Sequence, residues 1–472
     1  MKKFTLALTV ALFAAALTLS MSVTPARSQA TSTPVPLPTN TPYPAVPQKP
    51  GQAKLTFWYG LGGLLGNVVQ ATVNKFNESQ EKYYVEAVFQ ASYDDTINKI
   101  NAGLASGQLP NIAQIFEAGT QRMIDTKKII PVQDLIDRDK LADLVADLEP
   151  AVRANYTVNG KLVSMPFNSS TAMMYFDRAA MKAAGLDPDK KIWTYEEVLD
   201  AARKLTVKDA NGKVTRTGLA LYGESWFVEQ TAAIHEQYTG DPANGHQARV
   251  TKYTFNNDAI VKYFDFLKKG LDEKTATWYG PAGSGDASAA FVKGEAAIAF
   301  SSIASLRTLL DSVQKAGSKV DVGVAFFPRQ AGAKGRTIVG GASLWVTNVG
   351  TQSEQDGAWE FVKFAARPDI QAFWSSNTGY YPIRQAAYVD PLMVDALKKY
   401  PQFQVAIDSI RSGPVSDYNS ALVSGTFVSM RQDIIKALDN YFTGKSKTAQ
   451  EALDAAVKAA NEKLEEYNST VK

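Results

Sequence analysis

Cysteine is absent from this chain of 472 residues, and histidine is nearly so. The lack of cysteine excludes disulfides, thiolate zinc sites, iron–sulfur clusters, a cysteine nucleophile and a lipid attached to an N-terminal cysteine. A histidine metal cluster or a Ser-His-Asp triad would have to use His235 or His246. The segment "DPANGH" that ends at His246 has neither EF-hand nor zinc-site spacing, and we interpret it as a loop. We therefore expect no metal and no cofactor.

An excess of charge of either sign is also missing. Lysine and arginine number 50 against 47 acidic residues, and the net charge is +3. Lys2, Lys3 and Arg27 account for that charge, so the chain after residue 30 is neutral overall. Nucleic acids and anionic membranes attract proteins through positive charge, so neither is an expected partner.

The N-terminus has the features of an export signal over residues 1–30. Lys2 and Lys3 precede an apolar run, and small residues near Ala30 suit cleavage after that residue. The run is long for a signal peptide, so an uncleaved membrane anchor is the alternative. In either case we expect an exported protein, periplasmic or at the cell surface.

Proline is concentrated in residues 31–52, where it takes seven of 22 positions. Such a segment cannot bury a core and favours the polyproline II conformation, with a reach of roughly 70 Å. It is either a disordered leader or a stalk that holds the folded part away from the membrane.

Beyond this segment, short apolar strands alternate with amphipathic helices. The stretches "LTFWY", "YVEAVFQ" and "NIAQIFE" predict strands over 55–59, 84–90 and 111–117. Asp94 or Asp95 is expected to cap the helix between the last two. This β-α-β-α-β order predicts a mostly parallel sheet covered by helices.

A second run of strands and helices follows. Strands are predicted over 172–177, 296–301 and 320–327. Thr194 and Glu197 have the spacing of a capping box at the start of a helix. The chain as a whole therefore predicts an α/β fold.

Several motifs offer candidate chemistry. The glycine-rich "GLGGLLGN" over 60–67 lacks the residues of a P-loop and of a dinucleotide fingerprint, so we interpret it as a turn or a helix N-terminus facing a ligand. Glu117 follows an apolar strand, at the end where parallel sheets present ligand-side residues. It could accept hydrogen bonds from hydroxyls or, with a second acid, act in a glycosidase. Tyr222 and Trp226 are candidates for aromatic stacking on a ligand.

The stretch "IVGGASLWV" over 338–346 places two glycines directly before an apolar strand. Glycine lets either a second backbone or a ligand approach the chain closely. We expect Gly341 to face a ligand, and Trp345 and Val346 to pack in the core.

Six short motifs, in a characteristic order, extend over most of the chain after Leu55. They are "FWYGLGGLLG" (57–66), "IFEAGT" (115–120), "PFNSST" (166–171), "GGASLWV" (340–346), "TGYYPI" (378–383) and "ALDAAVKAANEKL" (452–464). Together they resemble the solute-binding proteins of bacterial ABC importers for sugars and related polyols, and most closely the glycerol-3-phosphate-binding members of that family.

The resemblance implies a two-lobed periplasmic-binding-protein fold of type II, with the ligand in the cleft between the lobes. Each lobe would be a mostly parallel sheet flanked by helices, and the chain would cross between them more than once. Lobe one would comprise residues 53–165 with 335–380, and lobe two residues 166–334 with 381–472. Closure would be a hinge motion that buries the ligand.

The resemblance also implies a set of ligand contacts. Glu117 would accept hydrogen bonds from hydroxyls, Gly341 would offer its backbone N–H, and Tyr380 would close over the ligand. The full set of matching positions is Tyr93, Glu117, Ser170, Ser302, Gly341 and Tyr380.

Two departures from the family pattern concern phosphate. The family's phosphate-binding arginine near the C-terminal helix is matched here by Val423, and its pocket tryptophan by Gly223, with Tyr222 and Trp226 nearby. A phosphate without a charge-assisted partner loses its strongest hydrogen bonds. Glycerol-3-phosphate, a glycerophosphodiester and a neutral sugar therefore all stay candidate ligands.

The leading hypothesis is a monomeric, non-enzymatic binding protein that passes a small molecule to an ABC permease in the membrane. One alternative is a secreted carbohydrate-active enzyme that uses Glu117 with a second acid. The other is a stalked surface adhesin that binds no small ligand.

Overall fold

The computed structural model describes residues 43–471. The predicted signal over 1–30 and the first part of the proline-rich segment lie outside the described residues. Among residues 43–471, no helix combines the length and the apolar character needed to cross a bilayer.

Short strands and helices alternate along the described chain. In chain order the strands are β1 (Ala53–Tyr59), β2 (Tyr83–Phe89), β3 (Ile112–Phe116), β4 (Ile129–Ile130), β5 (Thr157–Val158), β6 (Lys161–Leu162), β7 (Met165–Ser170), β8 (Ala172–Asp177), β9 (Val207–Lys208), β10 (Val214–Leu221), β11 (Gly240–Asp241), β12 (Lys252–Tyr253), β13 (Ala276–Trp278), β14 (Ala296–Ser302), β15 (Val322–Phe326) and β16 (Gly340–Thr347). The helices are α1 (Gly63–Ser79), α2 (Tyr93–Ser106), α3 (Thr120–Asp125), α4 (Val132–Asp139), α5 (Ala142–Ala146), α6 (Pro150–Asn155), α7 (Arg178–Ala183), α8 (Tyr195–Leu205), α9 (Trp226–Ile234), α10 (Asp258–Asp272), α11 (Ser284–Val292), α12 (Leu306–Lys315), α13 (Gln352–Ala365), α14 (Pro368–Asn377), α15 (Pro391–Lys399), α16 (Gln402–Ile410), α17 (Phe427–Phe442) and α18 (Ala449–Thr470).

The first sheet has the strand order β2-β1-β3-β16-β4, and β7 also pairs with β16. Strand β1 runs parallel to β2 and β3, as the sequence predicts. Leu55 and Phe57 alternate along β1 with their side chains fully buried. The ring of Phe57 packs against Phe361 of α13, with the ring centroids 5.3 Å apart. Burying a large apolar side chain in this way contributes about 1.5–3 kcal/mol.

The second sheet has the order β13-β10-β14-β8-β15, with β9 paired to β10. Strand β10 runs parallel to β13 and β14, whereas β8 runs antiparallel to β14 and β15. In the first sheet, β16 is likewise antiparallel to β3, β4 and β7. The sheets expected to be mostly parallel are therefore mixed, because β8 and β16 each enter their sheet directly after the chain has left the other one.

The chain passes between the two sheets at more than one place. Strand β7 of the first sheet leads into β8 of the second with one residue, Thr171, between them. The segment 327–339 returns the chain from β15 to β16. An isolated antiparallel β-bridge also pairs Ser169 of β7 with Tyr381. The start of lobe two at residue 166 falls inside β7, and the lobe boundaries stay a prediction.

Of two helix caps predicted from the sequence, one is present in the structure and the other is replaced by a different residue. The capping box of Thr194 and Glu197 at the start of α8 is confirmed. Helix α2, by contrast, is capped by Ser92, whose side chain accepts a hydrogen bond from the Asp95 N–H at 3.0 Å. Asp94 and Asp95 lie in the first helical turn, where carboxylates favour the positive end of the helix dipole. The expected aspartate cap was therefore wrong, and Tyr93 becomes the first residue of α2.

The C-terminal end of the proline-rich segment is bound to α1. The main-chain N–H groups of Tyr43 and Val46 donate to the side-chain oxygens of Asn67 and Asn74, at 3.0 and 3.2 Å. The Asn74 amide donates back to the carbonyl oxygen of Pro44 at 2.7 Å. These amide side chains of α1 therefore fix residues 43–46 against the first sheet's helical layer.

Candidate ligand-binding site

A cavity of about 530 Å³ is lined by residues from both sheets. This volume is in the range of small-molecule binding sites. All six residues predicted from the motifs line it, and so does Trp226. The lining residues are Leu65, Tyr93, Phe116, Glu117, Ser170, Glu224, Trp226, Ser288, Ser302, Ala304, Ser305, Thr308, Leu309, Ser312, Gly341, Tyr380 and Arg431.

Strand ends position several of these side chains. Glu117 directly follows β3, whose residues are nearly all buried. Ser170 is the last residue of β7, and Ser302 is the last residue of β14. The Ser302 hydroxyl accepts a hydrogen bond from the Ala304 N–H at 3.2 Å and so caps the turn that leads to α12. The polar groups therefore face the cavity from ends of strands in both sheets.

Two tyrosines form one wall. The Tyr93 ring stacks on Phe116, with centroids 5.3 Å apart and planes at 8°. Its hydroxyl accepts a hydrogen bond from the Asn168 amide at 2.8 Å and lies 3.5 Å from the Tyr380 hydroxyl. The Tyr380 ring stacks on Trp374. Burial raises the pKa of Tyr93 well above its usual value, so its hydroxyl stays neutral and can donate a hydrogen bond.

Arg431 of α17 places a cation at the cavity. Its Nε and Nη2 atoms donate to the two carboxylate oxygens of Glu229 at 2.7 and 2.9 Å. Nη2 also donates to Oε1 of Glu117 at 2.7 Å. The other Glu117 oxygen accepts from the Gly341 N–H at 3.1 Å. The Gly341 N–H, expected to meet the ligand, therefore holds Glu117 in place in this structure.

Burial and charge act against each other in this cluster. Burial works to lower the pKa of Arg431, but the carboxylates of Glu229 and Glu117 outweigh it and raise that pKa above its usual value. The side chain of Glu229 is only 1% exposed. Burial raises the pKa of Glu229 to about 7, although the Arg431 charge opposes the shift. Protonating Glu229 is therefore easier than protonating an exposed glutamate.

The structure places an arginine at the cavity, where the sequence analysis expected none. Val423 is buried in a hydrophobic cluster with Trp345 and does not line the cavity, whereas Arg431 does. The two aromatic residues expected to stack on a ligand, Tyr222 and Trp226, differ in position. Trp226 lines the cavity, whereas Tyr222 does not. The Tyr222 hydroxyl instead donates to the carbonyl oxygen of Phe300 at 3.2 Å.

The two glycines of "GGASLWV" are needed for close approaches. A Cβ on Gly340 would lie 2.3 Å from the ring of Trp226, and one on Gly341 would lie 1.9 Å from the carbonyl oxygen of Asn168. Gly341 also has a φ of +111°, which side chains rarely adopt. Trp345 and Val346 are fully buried, so their predicted packing role is confirmed.

Residues that the sequence analysis missed include a row of hydroxyls. Ser305, Thr308 and Ser312 lie at or near α12 and share one helix face, and Ser288 of α11 joins them. In the sequence they resemble the solvent-facing side of an amphipathic helix. A weak signal existed for Glu229, a charged residue in the otherwise mostly apolar α9.

A second depression of about 770 Å³ contains none of the predicted residues. Its charged side chains pair with one another, as Arg138 does with Asp356 and Lys363 with Glu360. Within the described residues, no group of three or more His, Cys, Asp or Glu side chains is placed to hold a metal ion. The first cavity is therefore the candidate ligand site.

Residues 71–405 match the sequence profile of the bacterial extracellular solute-binding protein family. The chain belongs to this family. The predicted family is confirmed, and the export of such a protein follows from its extracellular class.

Individual proteins are similar to this chain over most of their length. The sn-glycerol-3-phosphate-binding periplasmic protein UgpB of Yersinia enterocolitica is 31% identical over 425 residues, which are 89% of this chain and 94% of that protein. The structure of UgpB from Mycobacterium tuberculosis in complex with glycerophosphocholine has a TM-score of 0.72 at 19% identity, and covers 88% of this chain and 100% of that one. The GacH receptor of Streptomyces glaucescens, solved unliganded and with acarbose, has a TM-score of 0.71 at 18% identity over 88% and 99%.

These similarities confirm the two-lobed binding-protein fold. They also support the role of this chain as the substrate-binding component of an ABC importer. They overturn the alternative of a carbohydrate-active enzyme, since the family consists of solute-binding proteins. The structure gives a physical reason as well: Glu117 is paired with Arg431, which is not the environment of a free catalytic acid. The adhesin hypothesis is no longer needed.

Proposed function

We propose that this solute-binding protein captures glycerol-3-phosphate, a glycerophosphodiester or a sugar and delivers it to a membrane permease. The observation that carries the proposal is the convergence of six motif residues, spread from Tyr93 to Tyr380, on one cavity of about 530 Å³. The relative named for binding sn-glycerol-3-phosphate supports the first of these three ligands. The structural neighbours solved with glycerophosphocholine and with acarbose support the second and the third.

The chemistry of the wall suits a hydroxyl-bearing ligand. Tyr93, Tyr380, Ser170 and Ser302 offer neutral hydroxyls, which donate or accept as the ligand requires. The ring of Trp226 offers a face on which the C–H groups of a sugar or glycerol unit can stack.

In the proposed complex, Glu117 accepts hydrogen bonds from ligand hydroxyls. A ligand that draws Glu117 away also frees the N–H of Gly341, which donates to that carboxylate in the structure. Within residues 43–471, Nη1 of Arg431 makes no hydrogen bond, so it can donate to an anionic ligand group.

Capture is proposed to involve rotation of lobe one (53–165 with 335–380) against lobe two, about the segments that cross between the sheets. Such a hinge motion would enclose the ligand and exclude water from its hydrogen bonds. We further propose that the protein acts as a monomer, without nucleic-acid partners. In this proposal residues 1–30 are a signal peptide that is cleaved after Ala30. The alternative is that the segment stays uncleaved and anchors the protein in the membrane.

The proposal is tested by titration calorimetry of the purified protein with glycerol-3-phosphate, glycerophosphocholine and maltose. We expect at least one of the three to bind. Glu117→Gln should weaken that binding by about tenfold or more, because a charge-assisted hydrogen bond contributes about 1.5–3 kcal/mol.

Glu360→Gln is the matched control, since Glu360 lies in the second depression and pairs with Lys363. It should bind like the unaltered protein. Binding of none of the three ligands, or a Glu117→Gln variant with full affinity, would contradict the proposal.

A further inference from the structure

The cavity holds little positive charge. Among its lining residues in the described chain, Arg431 is the one cation, and Glu117 and Glu224 are the acids. Arg431 already makes three hydrogen bonds to Glu117 and Glu229. Its charge is therefore largely balanced before any ligand arrives.

Glu224 adds a carboxylate that forms no ion pair within residues 43–471. Glu224 lies between β10 and α9. One of its carboxylate oxygens accepts a hydrogen bond from the main-chain N–H of Trp226 at 3.0 Å. Within residues 43–471, its other oxygen makes no hydrogen bond. Burial raises the pKa of Glu224, since a charge is costly there. The fold gains one helix-end hydrogen bond from this residue, which alone does not account for an acid at the cavity wall.

The charges of these groups determine which anions the cavity can hold. Even with Glu229 protonated, the single positive charge of Arg431 faces the two negative charges of Glu117 and Glu224. A phosphomonoester carries close to two negative charges at neutral pH, whereas a phosphodiester carries one. Charges near one another repel far more strongly in a partly buried site than in water, so the second charge of a monoester is disfavoured.

We infer that the site, if it has the proposed function, selects the monoanionic phosphodiester over the dianionic phosphomonoester, and that Glu224 sets this preference. The diester replaces one charged phosphate oxygen by a neutral ester arm. The uncharged hydroxyls of Ser288, Ser305, Thr308 and Ser312 provide a wall that suits an alcohol on that arm. Glu224 is thus a specificity-determining residue, and Arg431 receives the single phosphate charge.

The test is calorimetry with glycerol-3-phosphate, glycerophosphoglycerol and maltose at about pH 8, where the monoester is fully dianionic. Glycerophosphoglycerol is chosen because it is a diester without a cationic group. We expect the unaltered protein to bind it about tenfold more tightly than glycerol-3-phosphate, a difference of about 1.4 kcal/mol.

Glu224→Gln should reduce this ratio to near unity, mainly through tighter binding of glycerol-3-phosphate. Glu224→Asp keeps the charge and should keep the preference. Glu360→Gln, which removes a carboxylate in the second depression, should leave the ratio unchanged. Thermal unfolding of each variant verifies that it is folded.

Each contrary result has a distinct meaning. Equal or tighter binding of glycerol-3-phosphate by the unaltered protein overturns the charge selection. A Glu224→Gln variant that changes both affinities by the same factor overturns the role of Glu224. Binding of maltose alone overturns this inference and leaves the proposed function standing, whereas binding of none of the three ligands overturns both.

Discussion

At the scale of single residues, Gly341 is the most constrained position of the site. The carbonyl oxygen of Asn168 occupies the place where a Cβ would be, and φ is +111°. The same residue pairs with Ser169 in β7 and donates its N–H to Glu117. One position therefore joins β7 to β16 and orients the central carboxylate.

Gly341→Ala should both destabilise the protein and weaken ligand binding. Gly332 provides the control, because its φ is +84° but a Cβ there would meet nothing within 4 Å. Gly332→Ala should cost about 1–2 kcal/mol for its backbone conformation alone. Gly341→Ala should cost about 1–3 kcal/mol more, since β7 must also move. Denaturant unfolding would measure the difference, and equal losses would contradict this explanation.

Single residues also show where prediction from the sequence ends. Tyr93, Glu117 and Gly341 stand in motifs whose order is recognisable, and the structure brings them to one cavity. Arg431 stands in an ordinary amphipathic helix, where most arginines face solvent. Its contact with Glu117 joins residues 314 positions apart, and no local pattern reveals such a contact.

At the scale of elements, the start of α2 determines where Tyr93 lies. The Ser92 hydroxyl accepts from the Asp95 N–H at 3.0 Å and donates to the Asp95 carboxylate at 2.6 Å. Because Tyr93 is the first helical residue, the cap fixes the direction in which its ring leaves the backbone.

Ser92→Ala should therefore lower stability by about 1 kcal/mol and also reduce ligand affinity. Thr194→Ala removes the cap of α8, whose first turn does not line the cavity. It should cost similar stability with no loss of affinity. Unfolding curves and calorimetry on both variants would test this, and equal affinities for the two would show that the α2 cap does not position Tyr93.

Elements were easier to predict from the sequence than their pairing. Apolar runs correctly located β1, β3 and β8, because buried strands need continuous or alternating apolar residues. The direction of β16 was not foreseeable in this way. Its antiparallel pairing with β3, β4 and β7 depends on the path of the chain between the sheets, which hydrophobic patterning does not encode.

At the scale of the whole molecule, one ion cluster unites three distant parts of the chain. Glu117 follows β3, Glu229 belongs to α9, and Arg431 belongs to α17. The groups that act on the charge of Glu229 are Arg431, Glu117 and Glu224. Because the pKa of Glu229 is raised to about 7, its hold on Arg431 is strongest above that pH.

Affinity for an anionic ligand should consequently increase as the pH falls through about 7, by at most about tenfold per pH unit for one coupled proton. The sign follows because protonated Glu229 competes less with the ligand for Arg431. Calorimetry with glycerophosphoglycerol is suitable, since the charge of this ligand is constant over the range. Maltose should show no such dependence, and Glu229→Gln should abolish it. A diester affinity that stays flat or increases with pH would refute this coupling.

The bonds between residues 43–46 and α1 have a mechanical consequence. Any tension transmitted along the proline-rich segment is transferred to α1, and from there to the half of the molecule built on the first sheet. The segments that cross to the second sheet lie farther along the chain than this point of attachment. If the lobes rotate as proposed, a protein held at its N-terminal side would keep the half built on the first sheet stationary while the other half moves.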